Sequence, residues 1–477
     1  MNNRGRFQRW KITTVRVCAA AVLALCAFAV RAQTGPDLSQ ELRADVDRIA
    51  REVLASTGTP SASIAIVQDG KIAYLQAYGD ARLSPKTPAQ TAMRYSVGSI
   101  SKQFTATGIL MLAEEGKLSL DDPVARFVPG LTRAGDVKIR QLLSHTSGYQ
   151  DYWPQDYVPP FMTQAVTASD ILDRWAKKPL DFEPGTQYQY SNTGYVIAGV
   201  ILEKASGEKL LPFLSARIFR PLRMDSIVNV DQDRLTESDP TGYLHYALGP
   251  PRVAPKEGKG WLFAAGELAM TAQDLAKWDV GMLEGRLLKP ASYKEMQTDV
   301  LLKSGLAAGY GLGLDITRMA GHRALVHDGE VSGFTAENVV FPDDRAAITV
   351  LSNADATGAS GEIATRIAPL LFEKRDAAAA SEARARKILE GLQHGRLDRS
   401  LFTANANSYF SDEAVGDFAA SLSPLGAATE LKQVRQGDRG GMTFRLLRAV
   451  FPQKTVDIWE RDMPDGQIEQ FQVMAHE

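Results

Sequence analysis

The stretch Met93-Arg94-Tyr95-Ser96-Val97-Gly98-Ser99-Ile100-Ser101-Lys102-Gln103-Phe104 runs from a strand-like approach through a glycine into a serine and, three positions on, a lysine. Met93 to Val97 predicts a short strand and Gly98 a turn. Phe104, Ile109, Leu110, Leu112 and Ala113 then predict a buried helix. Residues i and i+3 share a helix face, so the Ser99 hydroxyl and the Lys102 amine are expected to meet on its first turn. A serine hydroxyl is a weak nucleophile at its own pKa and needs a base within hydrogen-bond reach, which a lysine so placed provides. The N-terminal end of the helix favours negative charge developing nearby. The same spacing recurs at Ser206-Gly207-Glu208-Lys209, where a polar, glycine-containing context reads as the loop that ends a helix.

Two further motifs follow in order. Pro184-Gly185 predicts a turn, Gln187 to Tyr190 a short strand and Gly194 to Ala205 a helix, which puts Tyr190 and Asn192 of Tyr190-Ser191-Asn192 on the connecting loop. A phenol near a lysine ammonium can ionise or relay a proton, and an amide can hold a carbonyl and orient the lysine. The plain alternatives are a half-buried tyrosine and a helix N-cap. His327-Asp328-Gly329-Glu330 follows the apolar run Ala324 to Val326 and predicts a strand end beside a cleft, its glycine allowing close approach to the backbone. An ordinary hairpin end is the alternative there.

With these motifs in this order, the chain resembles the penicillin-binding-protein-like serine hydrolases, a family that includes class C β-lactamases, D-aminopeptidases and related carboxylesterases. Leu142-Leu143-Ser144-His145-Thr146-Ser147-Gly148, Pro221-Leu222-Arg223-Met224, Ala264-Ala265-Gly266 leading to Thr271-Ala272-Gln273-Asp274-Leu275, and Tyr310-Gly311-Leu312-Gly313 add to the likeness, which spans about residues 40 to 372. The resemblance implies Ser99 as acylated nucleophile, Lys102 as its base and Tyr190 as proton relay to the leaving group and later to water. It implies that Asn192 positions substrate and lysine, and that the backbone N–H groups of Ser99 and Glu330, the latter just after Gly329, form the oxyanion hole. For Lys102 to be neutral near pH 7 its pKa must fall by about three units from 10.4, costing ~4 kcal/mol, which burial at the foot of a cleft supplies.

The chain departs from many β-lactamases and transpeptidases, which have lysine where His327 stands. An unperturbed histidine is protonated only about a quarter of the time at pH 7, and losing a full charge-assisted bond to a substrate carboxylate costs about 1.5 to 3 kcal/mol. Histidine here is familiar in the D-aminopeptidase-like and esterase-like branches. The expected activity is therefore hydrolysis of esters or small amides and peptides, with weak or absent β-lactamase activity. A β-lactamase and a slow penicillin-binding or cell-wall-peptide sensor that keeps its acyl adduct are the alternatives.

The 477 residues, 44% of them hydrophobic, supply more than one core. The first 32 residues hold six arginines or lysines and no acid, with an apolar stretch from Val17 to Val30 and Val30-Arg31-Ala32 before Gln33. This reads as a signal peptide over 1–32, cut after Ala32, and as export to the periplasm; an uncleaved anchor would be short for spanning. Both cysteines, Cys18 and Cys26, fall inside it, so no disulfide or zinc-thiolate site is expected in the mature chain. Loss of six positive charges from a formal net charge of −2 leaves −8, which disfavours nonspecific nucleic-acid binding. No cofactor and no metal is expected. The expected partner is a small-molecule or peptide substrate, with no nucleic acid and no stable membrane insertion after cleavage; the number of subunits is left open.

Ser61 to Gln68, the Asp69-Gly70 turn and Lys71 to Ala77 predict a hairpin, and Leu325 to Val326, Thr335 to Phe341 and Ala346 to Leu351 the rest of its sheet. The middle reads as mostly helical, with a capping pattern at Thr271-x-x-Asp274. The expected fold is α/β: an antiparallel sheet flanked by helices with an inserted helical subdomain over 38–373, then a linker or exposed helix over 374–386. A small α+β accessory domain follows over 387–477. In that last unit Glu382 to Leu392 and Thr403 to Phe410 predict helices. Glu430 to Gln436, Met442 to Ala449, Thr455 to Arg461 and Gln467 to Met474 predict antiparallel strands, an order similar to a nuclear-transport-factor-like cone. No Gly-x-Ser-x-Gly elbow, His-Glu-x-x-His motif or phosphate loop occurs. His145 reads as a loop-fixing hydrogen-bond partner, and Tyr152, in the loop beyond it, as a residue of the substrate entrance.

Overall fold

The computed structural model describes residues 38–476, so the leader read over 1–32 lies outside the described residues. The Asp69-Gly70 turn joins β1 (Ser61–Gln68) to β2 (Lys71–Leu83). Five more strands complete one antiparallel sheet: β3 (Lys86–Pro88), β4 (Asp315–Met319), β5 (His322–Val331), β6 (Phe334–Phe341) and β7 (Ala346–Ser352). Their order across the sheet is β3-β2-β1-β7-β6-β5-β4. Strands from the two ends of the domain therefore pair at its centre, with Ile64 of β1 opposite Val350 of β7.

Both central strands are buried on both faces, and the period-two alternation of side chains assigns each residue to a layer. Ile64, Ile66, Ile348 and Val350 pack against α1 (Gln40–Thr57) and the start of a long C-terminal helix. Ala65, Val67, Ala347 and Leu351 face the inserted helical region. That region contributes α2 (Ser101–Glu114), α3 (Asn192–Ser206) and α4 (Ala272–Leu283). Helix α2 is buried all round from Ser101 to Leu112, as expected of a helix apolar on every side. A buried polar chain ties it to its neighbours: Trp278 Nε1 donates to Gln103 Oε1, Gln103 Nε2 to Asn338 Oδ1, and Asn338 Nδ2 to Asp279 Oδ1.

Helix α5 (Ala359–Gln393) runs unbroken through the stretch read as a linker or exposed helix. Its first turns bury Ile363, Ile367 and Leu371 under the large sheet, and its last turns bury Ile388, Leu389 and Leu392 in a separate core. Around that second core lie α6 (Ala404–Tyr409), α7 (Asp412–Leu422) and a four-stranded antiparallel sheet. Its strands, β8 (Glu430–Arg439), β9 (Met442–Val450), β10 (Thr455–Asp462) and β11 (Ile468–Ala475), stand in chain order. The fold is thus mixed α/β, an antiparallel sheet flanked by helices with a small C-terminal sheet unit. Helix α7 has no counterpart in the sequence reading.

Two local expectations are corrected. Ser99 sits in a 3₁₀ turn, Gly98–Ile100, and the α-helix begins only at Ser101. Gln187 to Tyr190 forms no strand, and Asn192 is the first residue of α3 rather than part of the loop. Its N-cap is Ser191, whose Oγ accepts from the Gly194 N–H.

Candidate active site

Helix α2, the start of α3 and strand β5 converge on Ser99. Lys102, one turn along from the serine, is completely buried. Its Nζ donates to Ser99 Oγ, Asn192 Oδ1 and the Ala265 carbonyl, each at 2.8 Å. Burial lowers its pKa to about 7, against the opposing pull of the Asp151 and Asp328 charges. The free amine has one lone pair and two N–H groups. Asn192 Oδ1 and Ala265 O accept those two, which leaves the lone pair for the Ser99 hydroxyl proton.

Tyr190 brings its hydroxyl to Ser99, and the Lys102 Nζ stands 4.9 Å from its ring centre. Burial raises its pKa well above the usual value, outweighing the lowering by Ser99. The phenol is therefore neutral at pH 7 and acts as a relay, not as a standing phenolate. His145 holds it in place: the imidazole stacks on Tyr190 with ring centres 4.1 Å apart, and its Nδ1 accepts from the Ser191 N–H at 3.1 Å.

The backbone on the other side of Ser99 is brought close by two glycines. A Cβ on Gly329 would lie 1.9 Å from the Val97 carbonyl oxygen, and one on Gly98, where φ is +50°, would lie 2.8 Å from the Glu330 nitrogen. Only glycine lets β5 and the serine turn approach this far. Val331 and Phe334 close a two-residue turn, so alternate residues of β5 direct their backbone groups toward β6. Glu330 falls between them, and its backbone nitrogen lies against the Gly98 turn that carries Ser99.

His327 occupies a different place from the one its motif suggests. It is fully buried in mid-strand, its Nε2 2.9 Å from the Tyr310 hydroxyl and its Nδ1 2.6 Å from the Asp328 carbonyl oxygen. Burial, reinforced by Lys102, holds its pKa below the ordinary value and leaves it neutral at pH 7. Its ring centre lies 6.4 Å from that of Tyr190 and it does not line the cleft; the neighbours on the opposite face of β5, Asp328 and Glu330, do.

The cleft is a cavity of about 560 Å³ reaching Ser99, Tyr190 and Asn192. Tyr152 lines it as wall: it is buried, and its hydroxyl donates to the Trp261 carbonyl at 2.6 Å. Trp153, the next residue, is 54% exposed and forms the rim.

Sequence reasoning passed over Asp151. Its Oδ1 accepts from the Asn192 N–H and its Oδ2 from Asn192 Nδ2, both at 3.1 Å. This fixes the Asn192 amide with its oxygen toward Lys102. Burial raises the Asp151 pKa to about 6, against the Trp153 N–H, Lys102 and Asn192, so it is ionised above neutrality. Its charge holds the Lys102 pKa up, and Asp151→Asn is expected to move the acid limb of kcat/KM down by about one pH unit. The kcat of that variant is expected to fall about tenfold, as Asn192 loses a partner. A pH–rate profile checks both, and a limb that stays in place contradicts the link.

The model of the family described as Beta-lactamase matches residues 46–371. Penicillin-binding protein 4* of Bacillus subtilis is 30% identical over 320 residues, covering 63% of this chain and 70% of that protein. A D-aminopeptidase of Cereibacter sphaeroides is 29% identical over 302 residues, covering 62% of this chain, which spans only 57% of that relative's length. The crystal structure of D-amino acid amidase from Ochrobactrum anthropi SV3 superposes with a TM-score of 0.63 at 25% identity, covering 70% of this chain and 99% of that one. The family match reaches from α1 into α5 and takes in the serine turn, the start of α3 and β5, and on that evidence the chain belongs to the beta-lactamase family.

Proposed function

We propose that the protein is an exported serine hydrolase that cleaves esters or small amides through an acyl-enzyme on Ser99. The observation that carries this reading is the wholly buried Lys102 amine, with a pKa of about 7, 2.8 Å from the Ser99 hydroxyl. Neutral Lys102 takes the Ser99 proton as Oγ adds to the substrate carbonyl carbon. The carbonyl oxygen takes the negative charge and is held by the backbone N–H groups of Ser99 and Glu330. The intermediate collapses as Tyr190 gives its proton to the departing alcohol or amine and is re-protonated from the Lys102 ammonium. Water then attacks the ester carbonyl, losing its proton along the same Tyr190–Lys102 route, and Ser99 Oγ leaves with a proton as the acid is released. Asn192 keeps Lys102 in line and offers its amide to the substrate.

The likeness to a D-aminopeptidase and a D-amino acid amidase supports amides among the substrates. The basic, acid-free leader supports export to the periplasm with cleavage after Ala32. The order of helices then antiparallel strands in the C-terminal unit supports a nuclear-transport-factor-like accessory domain.

Hydrolysis of a short-chain p-nitrophenyl ester tests the reading. The native protein is expected to turn over steadily and Ser99→Ala to fall to the background rate. Equal rates in the two would remove Ser99 from the chemistry. The penicillin-binding relative favours a second reading, in which the acyl group stays; a single stoichiometric burst with no further turnover would select it.

A further inference from the structure

The charge of the cavity is one-sided. Asp328, Glu330 and Asp355 line it together with Ser99, and among the described residues no lysine, arginine or histidine does. Lys102 is buried and does not line the cavity, and His327 is likewise buried and is neutral at pH 7. Two of the three carboxylates are held in place by the backbone: Glu330 Oε1 accepts from the Ala356 N–H and Asp355 Oδ2 from the Gly333 N–H, both at 2.8 Å. Each keeps its other oxygen outside those bonds. Burial and then the Glu330 charge raise the Asp355 pKa, as expected of two carboxylates sharing one patch. Asp328 reaches the reacting groups electrostatically, its charge acting on Lys102 and Tyr190. Much of the remaining lining is apolar, with Leu262 and Met162 buried and Trp153 and Tyr246 exposed.

We infer that this cavity selects its substrate by charge, accepting an acyl group that bears an ammonium beside an apolar side chain and turning away one that bears a carboxylate. The inference rests on the acyl-transfer reading of Ser99. An ammonium entering the cavity meets three acceptors of opposite sign and, at the rim, aromatic faces that also favour a cation. A carboxylate of the same size meets only like charge, with no donor side chain of positive charge to receive it. The preference comes from Asp328 and Glu330, which flank the motif glycine, together with Asp355 beside Glu330.

Three methyl esters of nearly equal shape separate the terms: phenylalanine methyl ester, 3-phenylpropanoic acid methyl ester and benzylmalonic acid monomethyl ester. They place an ammonium, a hydrogen and a carboxylate on the same carbon. Each chiral ester is tested in both configurations, with rates referred to its charged fraction. The expected order of kcat/KM is ammonium over neutral by about tenfold and neutral over carboxylate by about tenfold, both narrowing as salt is raised. In Asp328→Asn/Asp355→Asn the ratio of ammonium to neutral ester is expected to fall at least threefold. A carboxylate ester cleaved as well as the neutral one, or a ratio unmoved in the double variant, overturns the inference. The neutral ester reports the catalytic reading separately: if the native protein cleaves it no faster than Ser99→Ala, Ser99 chemistry has failed, whatever the charge order.

Discussion

Lys102→Met is expected to lower kcat on a neutral ester by about a thousandfold while leaving KM within a fewfold of the native value. General-base assistance contributes about 10²- to 10⁴-fold, and here the Lys102 amine stands 2.8 Å from Ser99 Oγ. Methionine fills a similar volume, so the wholly buried site stays packed. The Asn192 Oδ1 and Ala265 carbonyl lose their shared donor. That loss costs about 1 to 3 kcal/mol of stability, which a thermal melt separates from the kinetic effect. The pH profile is the sharper readout. Native kcat/KM is expected to rise with pH and level off above about 7, because the protonated amine cannot accept the serine proton and the Lys102 pKa lies at about 7. In the methionine variant that limb disappears. A residual rate with the native pH dependence would show that another group is the base.

Gly329→Ala is expected to cost about a hundredfold in kcat, although the residue has no side chain to contribute. A methyl group there would lie 1.9 Å from the Val97 carbonyl oxygen and 3.4 Å from the Ser99 nitrogen, so β5 must move away from the serine turn. The Glu330 N–H moves with it. Removing one oxyanion donor costs about 10² to 10³ in rate, roughly 2.7 to 4 kcal/mol of transition-state stabilisation. Because the donor acts on charge that develops only after attack, KM is expected to change little. Stopped-flow measurement of the acylation step distinguishes this from general damage: acylation slows while substrate binding persists. An alanine variant with native acylation would contradict the placement of Glu330.

The part of the site that lies close in sequence was readable from spacing, Tyr190 and Asn192 came through the family resemblance, and other parts made by tertiary contact had no signal. Ser99 and Lys102 meet because three residues is nearly one helical turn, and a 3₁₀ turn in place of the first α-turn leaves that proximity intact. The strands Ser61–Gln68 and Phe334–Phe341 announce themselves by apolar runs between turn residues. Asp151 gave no such signal: it is a loop carboxylate whose partners on Asn192 are 41 residues away. The Ala265 carbonyl is invisible for the same reason, since a backbone oxygen has no letter in the sequence. His327 was misplaced because a one-residue change of face separates a cleft-lining side chain from a buried one. The motif did not say which face of β5 looks into the cleft, and Asp328, not His327, does. Helix α5 was divided because its alanine- and charge-rich middle shows no apolar stripe in the sequence, while its two ends each carry one.

The acyl-enzyme itself tests the account most directly. The purified protein is mixed with a p-nitrophenyl ester, quenched in acid at intervals from milliseconds to minutes, and weighed intact by mass spectrometry. The account predicts a transient gain of one acyl group, located by proteolysis on the peptide containing Ser99, absent from Ser99→Ala and cleared as nitrophenol release continues. An adduct on another residue, or steady turnover with the Ser99 peptide unlabelled at every time, would contradict it.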